Sequence, residues 1–134
     1  MRVIRDRVDN LGCQILVIDD NPHVVDILSC YLGEEGYGVL SVLTSDEGLK
    51  LTILSRFELV LLDIALPGTD GIELLKRIRS INPTSRVIMV TRNIDPALAR
   101  KSLELEALAF IDKPFDLAYL KRVIAMALRE GYHA

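Results

Sequence analysis

The chain has 134 residues, of which 50% are hydrophobic and 26% charged, with a formal net charge of −3. A chain of that size buries roughly two thirds of its unfolded surface, so it is expected to fold as one domain with no room for a second. The acidic balance and the lack of a basic block argue against direct nucleic-acid binding, and no apolar stretch approaches the roughly 18 residues of a membrane span.

Residues 1–13, with Asp6 and Asp9, lack the apolar centre of a signal peptide and read as an N-terminal extension. Cys13 and Cys30 have no metal-ligand spacing and read as reduced thiols, so the expected location is cytoplasmic. The first strand is expected at Ile15 to Ile18. A helix follows, with Asn21 as N-cap, Pro22 at its first position, Val24, Leu28, Tyr31 and Leu32 on one face, and Gly33 and Gly36 as stop signals. A second strand spans Val39 to Leu43. Thr44-Ser45-Asp46-Glu47 has capping-box spacing and opens a helix through Leu49, Ile53 and Leu54. The third strand runs from Leu59 to Ile64. The next helix follows Gly71, turns Ile72, Leu75 and Ile78 inward, and stops at Asn82-Pro83. A strand at Val87 to Val90, a helix from about Asp95 to Glu106, a strand at Leu108 to Ile111 and a helix from Leu117 to Leu128 complete the chain.

Strands that alternate with helices make a parallel sheet with helices on both faces. The expected class is α/β: a doubly wound, flavodoxin-like sheet of five strands in order 2-1-3-4-5, whose ligands bind beyond the strand carboxyl ends at the switch point. Asp19-Asp20 ends the first strand, Asp63 lies near the end of the third, Thr91 follows the fourth and Lys113-Pro114 the fifth. Carboxylates brought together repel one another, so a divalent cation or a retained proton must relieve the charge. Oxygen ligands without histidine or thiolate favour magnesium. A carboxylate can also attack phosphorus to give an acyl phosphate, with Lys113 and Thr91 placed to hold phosphoryl oxygens.

Asp19-Asp20, the run Asp63-Ile-Ala-Leu-Pro-Gly-Thr-Asp-Gly71, Thr91 and Lys113-Pro-Phe115 together resemble the receiver domain of two-component response regulators. The resemblance covers about Gln14 to Glu130, leaving 131–134 as a C-terminal tail. It implies that Asp63 accepts a phosphoryl group from a phosphohistidine on a histidine kinase or phosphotransfer protein. It also implies that Asp20, Asp63 and the Ala65 carbonyl ligate Mg²⁺, that Asp19 acts mainly through water, and that Thr91 and Lys113 hold the phosphoryl oxygens. Phe110 matches the aromatic switch position, and Lys113–Pro114 is expected to be cis. Phosphorylation would change binding to an effector protein or output domain through the face of helix 4, strand 5 and helix 5. The resemblance leaves room for a phosphorylation-dependent homodimer. Such a module is a phosphoacceptor rather than an enzyme with turnover. It either stands alone or belongs to a longer regulator.

Taken singly, each residue has a plainer reading. Asp19-Asp20 suits a turn or helix cap, Lys113 a surface lysine, and Thr91 an ordinary strand residue. The exposed side of Leu103 to Glu106 is either a half-buried helix face or a partner surface. His23 is expected to be solvated and His133 to lie in the tail, so neither is read as a phosphohistidine. Arg92 departs from the small residue usual after Thr91, and Glu106 stands where the fourth helix often ends in glycine. Arg92 keeps alive a phosphorylation-independent docking module (a pseudo-receiver). An aspartate-nucleophile phosphatase is disfavoured because Ala65 stands where its second aspartate would be.

Overall fold

The computed structural model describes residues 14–63, 70–92 and 96–128. Within them the elements are β1 Ile15–Ile18, α1 Pro22–Glu34, β2 Val39–Val42, α2 Ser45–Leu54, β3 Leu59–Leu62, α3 Gly71–Ile81, β4 Arg86–Thr91, α4 Pro96–Glu104, β5 Ala109–Asp112 and α5 Leu117–Leu128. All five strands are parallel and lie in the order β2-β1-β3-β4-β5, as the β-α alternation requires.

Strand periodicity divides the core into two layers, because successive side chains point to opposite faces. Ile15 and Val17, Leu59 and Leu61, and Ile88 and Val90 pack with α1 and α5, through Leu28, Leu32, Leu120 and Ile124. Leu16 and Ile18, Val60 and Leu62, and Val87 and Met89 face the other side, against Phe57 and Leu74, Leu75 and Ile78 of α3. β1 and β3 are buried at every position, whereas β2, at the sheet edge, is only partly buried. Among the described residues no helix is long and apolar enough to cross a membrane.

Most helix starts follow local chemistry. Asn21 caps α1 by accepting from the His23 amide at 2.9 Å. The Thr44 hydroxyl accepts from the Glu47 amide at 3.2 Å, as the capping-box spacing predicts. Asp70 and Asp116 cap α3 and α5 in the same way, two caps the reading of the sequence had not singled out.

Two local expectations are corrected, and the seating of α2 is new. Gly33 lies inside α1, and it is Gly36, at φ 96°, that turns the chain after the helix. The inward face of α2 is Gly48 and Thr52, with Leu49 partly buried, while Ile53 and Leu54 are 63% and 76% exposed. A Cβ on Gly48 would collide with Ile18 Cδ1, so α2 approaches the sheet more closely than a larger residue allows. The second correction concerns α4, which spans Pro96–Glu104 rather than reaching Glu106. Glu106 takes the left-handed conformation at φ 69°, so the turn keeps a glycine-like backbone without a glycine.

Candidate functional site

The parallel register brings the carboxyl ends of β1 and β3 side by side, with Ile18 opposite Leu62. The chain therefore leaves the sheet at Asp19 and Asp63 from adjacent strands, and the Asp63 amide still donates to the Ile18 carbonyl at 3.0 Å. Both side chains are buried, at 3% and 5% exposure, an environment that carboxylates enter only with partners. Asp20, one residue beyond Asp19, is exposed.

Lys113 supplies the partner. Its ammonium donates to Asp19 Oδ2 at 2.6 Å and to Asp63 Oδ2 at 3.1 Å, with the lysine side chain itself 8% exposed. β5 aims it there: the Lys113 amide bonds the Thr91 carbonyl at 2.7 Å, extending the β4–β5 pairing past the last strand residue, and Lys113–Pro114 is cis as expected. The other Asp19 oxygen accepts from the Asn21 amide at 2.9 Å. Asp19 is thus fixed from two sides, and its turn-forming role coexists with its place in the cluster.

Asp19, Asp20 and Asp63 each place a carboxylate oxygen within 4.8 Å of the others. Oxygens on opposite sides of an octahedral magnesium lie about 4.1 Å apart, and those around calcium somewhat farther. Lys113 brings one positive charge to three carboxylates, and the donors are all hard oxygens. The cluster can therefore hold a divalent metal ion of the oxygen-preferring kind. Ala65, the remaining expected ligand, lies outside the described residues, as do Cys13 and His133.

Thr91 ends β4 with 1% exposure, and its hydroxyl donates to the Arg92 carbonyl at 3.2 Å. Phe110 is half-buried against the layer that contains α3. His23 is exposed on α1. Asp19, Asp20, Asp63, Thr91 and Lys113 thus lie at or just beyond the carboxyl ends of their strands. What the sequence did not signal is the sharing of one buried ammonium by Asp19 and Asp63.

The chain matches the response regulator receiver domain family over residues 15–125. It is 34% identical over 111 residues to sporulation initiation phosphotransferase F of Bacillus subtilis, covering 83% of this chain and 90% of that protein. It spans 51 to 55% of three further curated relatives, all regulatory proteins. Among solved structures, a CheY-like response regulator receiver domain from Methanospirillum hungatei superposes with a TM-score of 0.80 at 33% identity, over 89% of this chain and 98% of that one. A response regulator from Burkholderia pseudomallei, solved with a phosphorylated aspartic acid and a calcium ion, superposes at 0.79 with 27% identity, over 84% of this chain and 66% of that one. Family match, strand order and the acidic strand-end cluster agree: the chain belongs to the receiver domains of two-component response regulators.

Proposed function

We propose that Asp63 is the phosphoacceptor of this receiver and that Mg²⁺ is its metal. The observation that carries this reading is the buried Lys113 ammonium bridging Asp19 and Asp63 inside a cluster of three carboxylates. In the reaction, a carboxylate oxygen of Asp63 attacks the phosphorus of a phosphohistidine on a histidine kinase or phosphotransfer protein. The P–N bond breaks, and the imidazole leaves with its electron pair and takes up a proton from solvent. Asp20, Asp63 and the Ala65 carbonyl would hold the metal directly, with Asp19 acting through water. Such an ion, when bound, would supply positive charge against the carboxylates and the phosphoryl group. Lys113 pairs with the phosphoryl oxygens as it now pairs with the carboxylates, and the Thr91 hydroxyl gives up its backbone acceptor to donate to one of them.

The same movement of Thr91 draws Phe110 inward and reshapes the face of α4, β5 and α5. Phosphorylation then changes affinity for an effector protein or output domain, including a second copy of this chain, because a switch transmits only what binds its two states differently. The receiver comprises residues 14–130 and works in the cytoplasm without turnover of an external substrate, its phosphoryl gain and loss being self-catalysed. No observation favours the docking-scaffold or phosphatase alternatives.

Intact mass after incubation with acetyl phosphate and magnesium tests the assignment. Wild type gains a labile adduct of about 80 Da, one phosphoryl group, and Asp63→Ala gains none. Wild type that neither gains the adduct nor binds beryllofluoride would return the molecule to the docking reading.

A further inference from the structure

A cavity of about 440 Å³ opens beside the acidic cluster, and Lys113 lines it as well as bridging the carboxylates. Its walls are largely apolar, formed by Val24 and Ile27 of α1 and by Phe115 and Leu117 at the entry to α5. Arg92, the residue after β4, is the second cation in its lining. The two cations differ in their engagements. Lys113 is held by Asp19 and Asp63, whereas Arg92 is exposed and enters no ion pair among the described residues. An uncommitted guanidinium beside an apolar hollow suits a small amphiphilic anion, since its planar donors match a carboxylate and the walls take a hydrocarbon group.

We propose that Arg92 and this cavity form a leaving-group subsite that favours small acyl phosphates as direct phosphoryl donors. The inference rests on the reading of Asp63 as acceptor. One Asp63 carboxylate oxygen forms a bond to phosphorus while the P–O bond to the acyl group breaks. The electron pair of that bond stays on the departing carboxylate, so no proton moves and no general acid is required. Negative charge on the leaving oxygens grows towards the transition state, and a guanidinium, which stays charged at any working pH, attracts them more strongly there than in the bound donor. The acyl chain lies against Val24, Ile27, Phe115 and Leu117. Phosphoramidate, by contrast, has no hydrocarbon, and its nitrogen departs as neutral ammonia, with no developing negative charge for a guanidinium to attract.

The test is the initial rate of Asp63 phosphorylation, with magnesium, from acetyl phosphate, butyryl phosphate and phosphoramidate on the full chain. Butyryl phosphate is expected to react more efficiently than acetyl phosphate in wild type, by roughly fivefold to tenfold, because two further methylenes leave water. Ile27→Gln, at a position already 52% exposed, is expected to cut that butyryl-to-acetyl ratio at least about threefold. Arg92→Ala is expected to lower the ratio of acetyl phosphate to phosphoramidate efficiency about tenfold, with Arg92→Lys falling between. A wild-type butyryl-to-acetyl ratio near unity, or an unchanged acetyl-phosphate-to-phosphoramidate ratio in Arg92→Ala, overturns the subsite and leaves the acceptor assignment standing. If no donor modifies the wild type and beryllofluoride does not bind, acceptor and subsite fall together.

Discussion

α3 and α4 are neighbouring helices of similar length, yet they are seated differently. α3 buries Gly71, Leu74, Leu75 and Ile78 against the sheet. α4 buries only Ser102, whose hydroxyl is satisfied by the Leu98 carbonyl within the same helix at 2.9 Å, while Leu98 and Leu103 are 40% and 53% exposed. The turn after α4 is held from outside: Arg79 of α3 donates to Glu106 at 2.8 Å and to the Ser85 carbonyl. Burial of apolar area sets how firmly an element is anchored, so α3 is fixed to the platform that carries Asp63, and α4 is cheap to displace. A switch needs both: strand ends that keep charges at fixed distances and a neighbouring element able to respond.

Side-chain truncation gives the largest contrast. Leu75→Ala, at a fully buried position of α3, is expected to cost about 3 kcal/mol. Leu103→Ala in α4 is expected to cost less than about 0.5 kcal/mol. Urea denaturation of both variants measures the pair, and equal losses would mean that the two helices are anchored alike. A smaller effect probes the tightness of the platform. Gly48→Ala improves helix propensity by about 1 kcal/mol, but its new methyl meets Ile18, which is fully buried. Overpacking of this kind costs about 1 to 3 kcal/mol, so a net destabilisation is expected. Net stabilisation in the same titration would show that Ile18 has room to turn away.

The smallest effect concerns the turn after α4. Glu106→Gly relieves a left-handed residue, a gain of about 1 kcal/mol. It also removes an ion pair whose glutamate side chain is 76% exposed, worth less than about 1 kcal/mol. A stability gain of up to about 0.5 kcal/mol is therefore expected from thermal or urea unfolding. A loss would identify the Arg79–Glu106 contact as the stronger anchor of this half.

Much of this was legible in the chain. Short apolar runs between helical segments specified a parallel sheet, and Pro22 after Asn21, Thr44 before Glu47 and Asn82-Pro83 marked helix boundaries through purely local preferences. Which side of α2 faces the sheet was not legible, for a physical reason. Ile53 and Leu54 are the large apolar residues at its end, yet the close approach at Gly48 turns the Gly48 and Thr52 side inward, with Thr52 bonded to the Gly48 carbonyl at 2.9 Å. Apolar character signals burial only where neighbouring elements leave space for the side chain.

By itself the sequence determined which residue types end each strand, because strand and helix periods and turn chemistry are local properties. Only the tertiary structure decided that Lys113 bridges Asp19 and Asp63, residues 94 and 50 positions away from it along the chain. The same holds for the light seating of α4 and for the different engagements of Lys113 and Arg92 beside one cavity. Distances between charges depend on how strands are ordered and how closely layers pack, and no local pattern encodes either quantity.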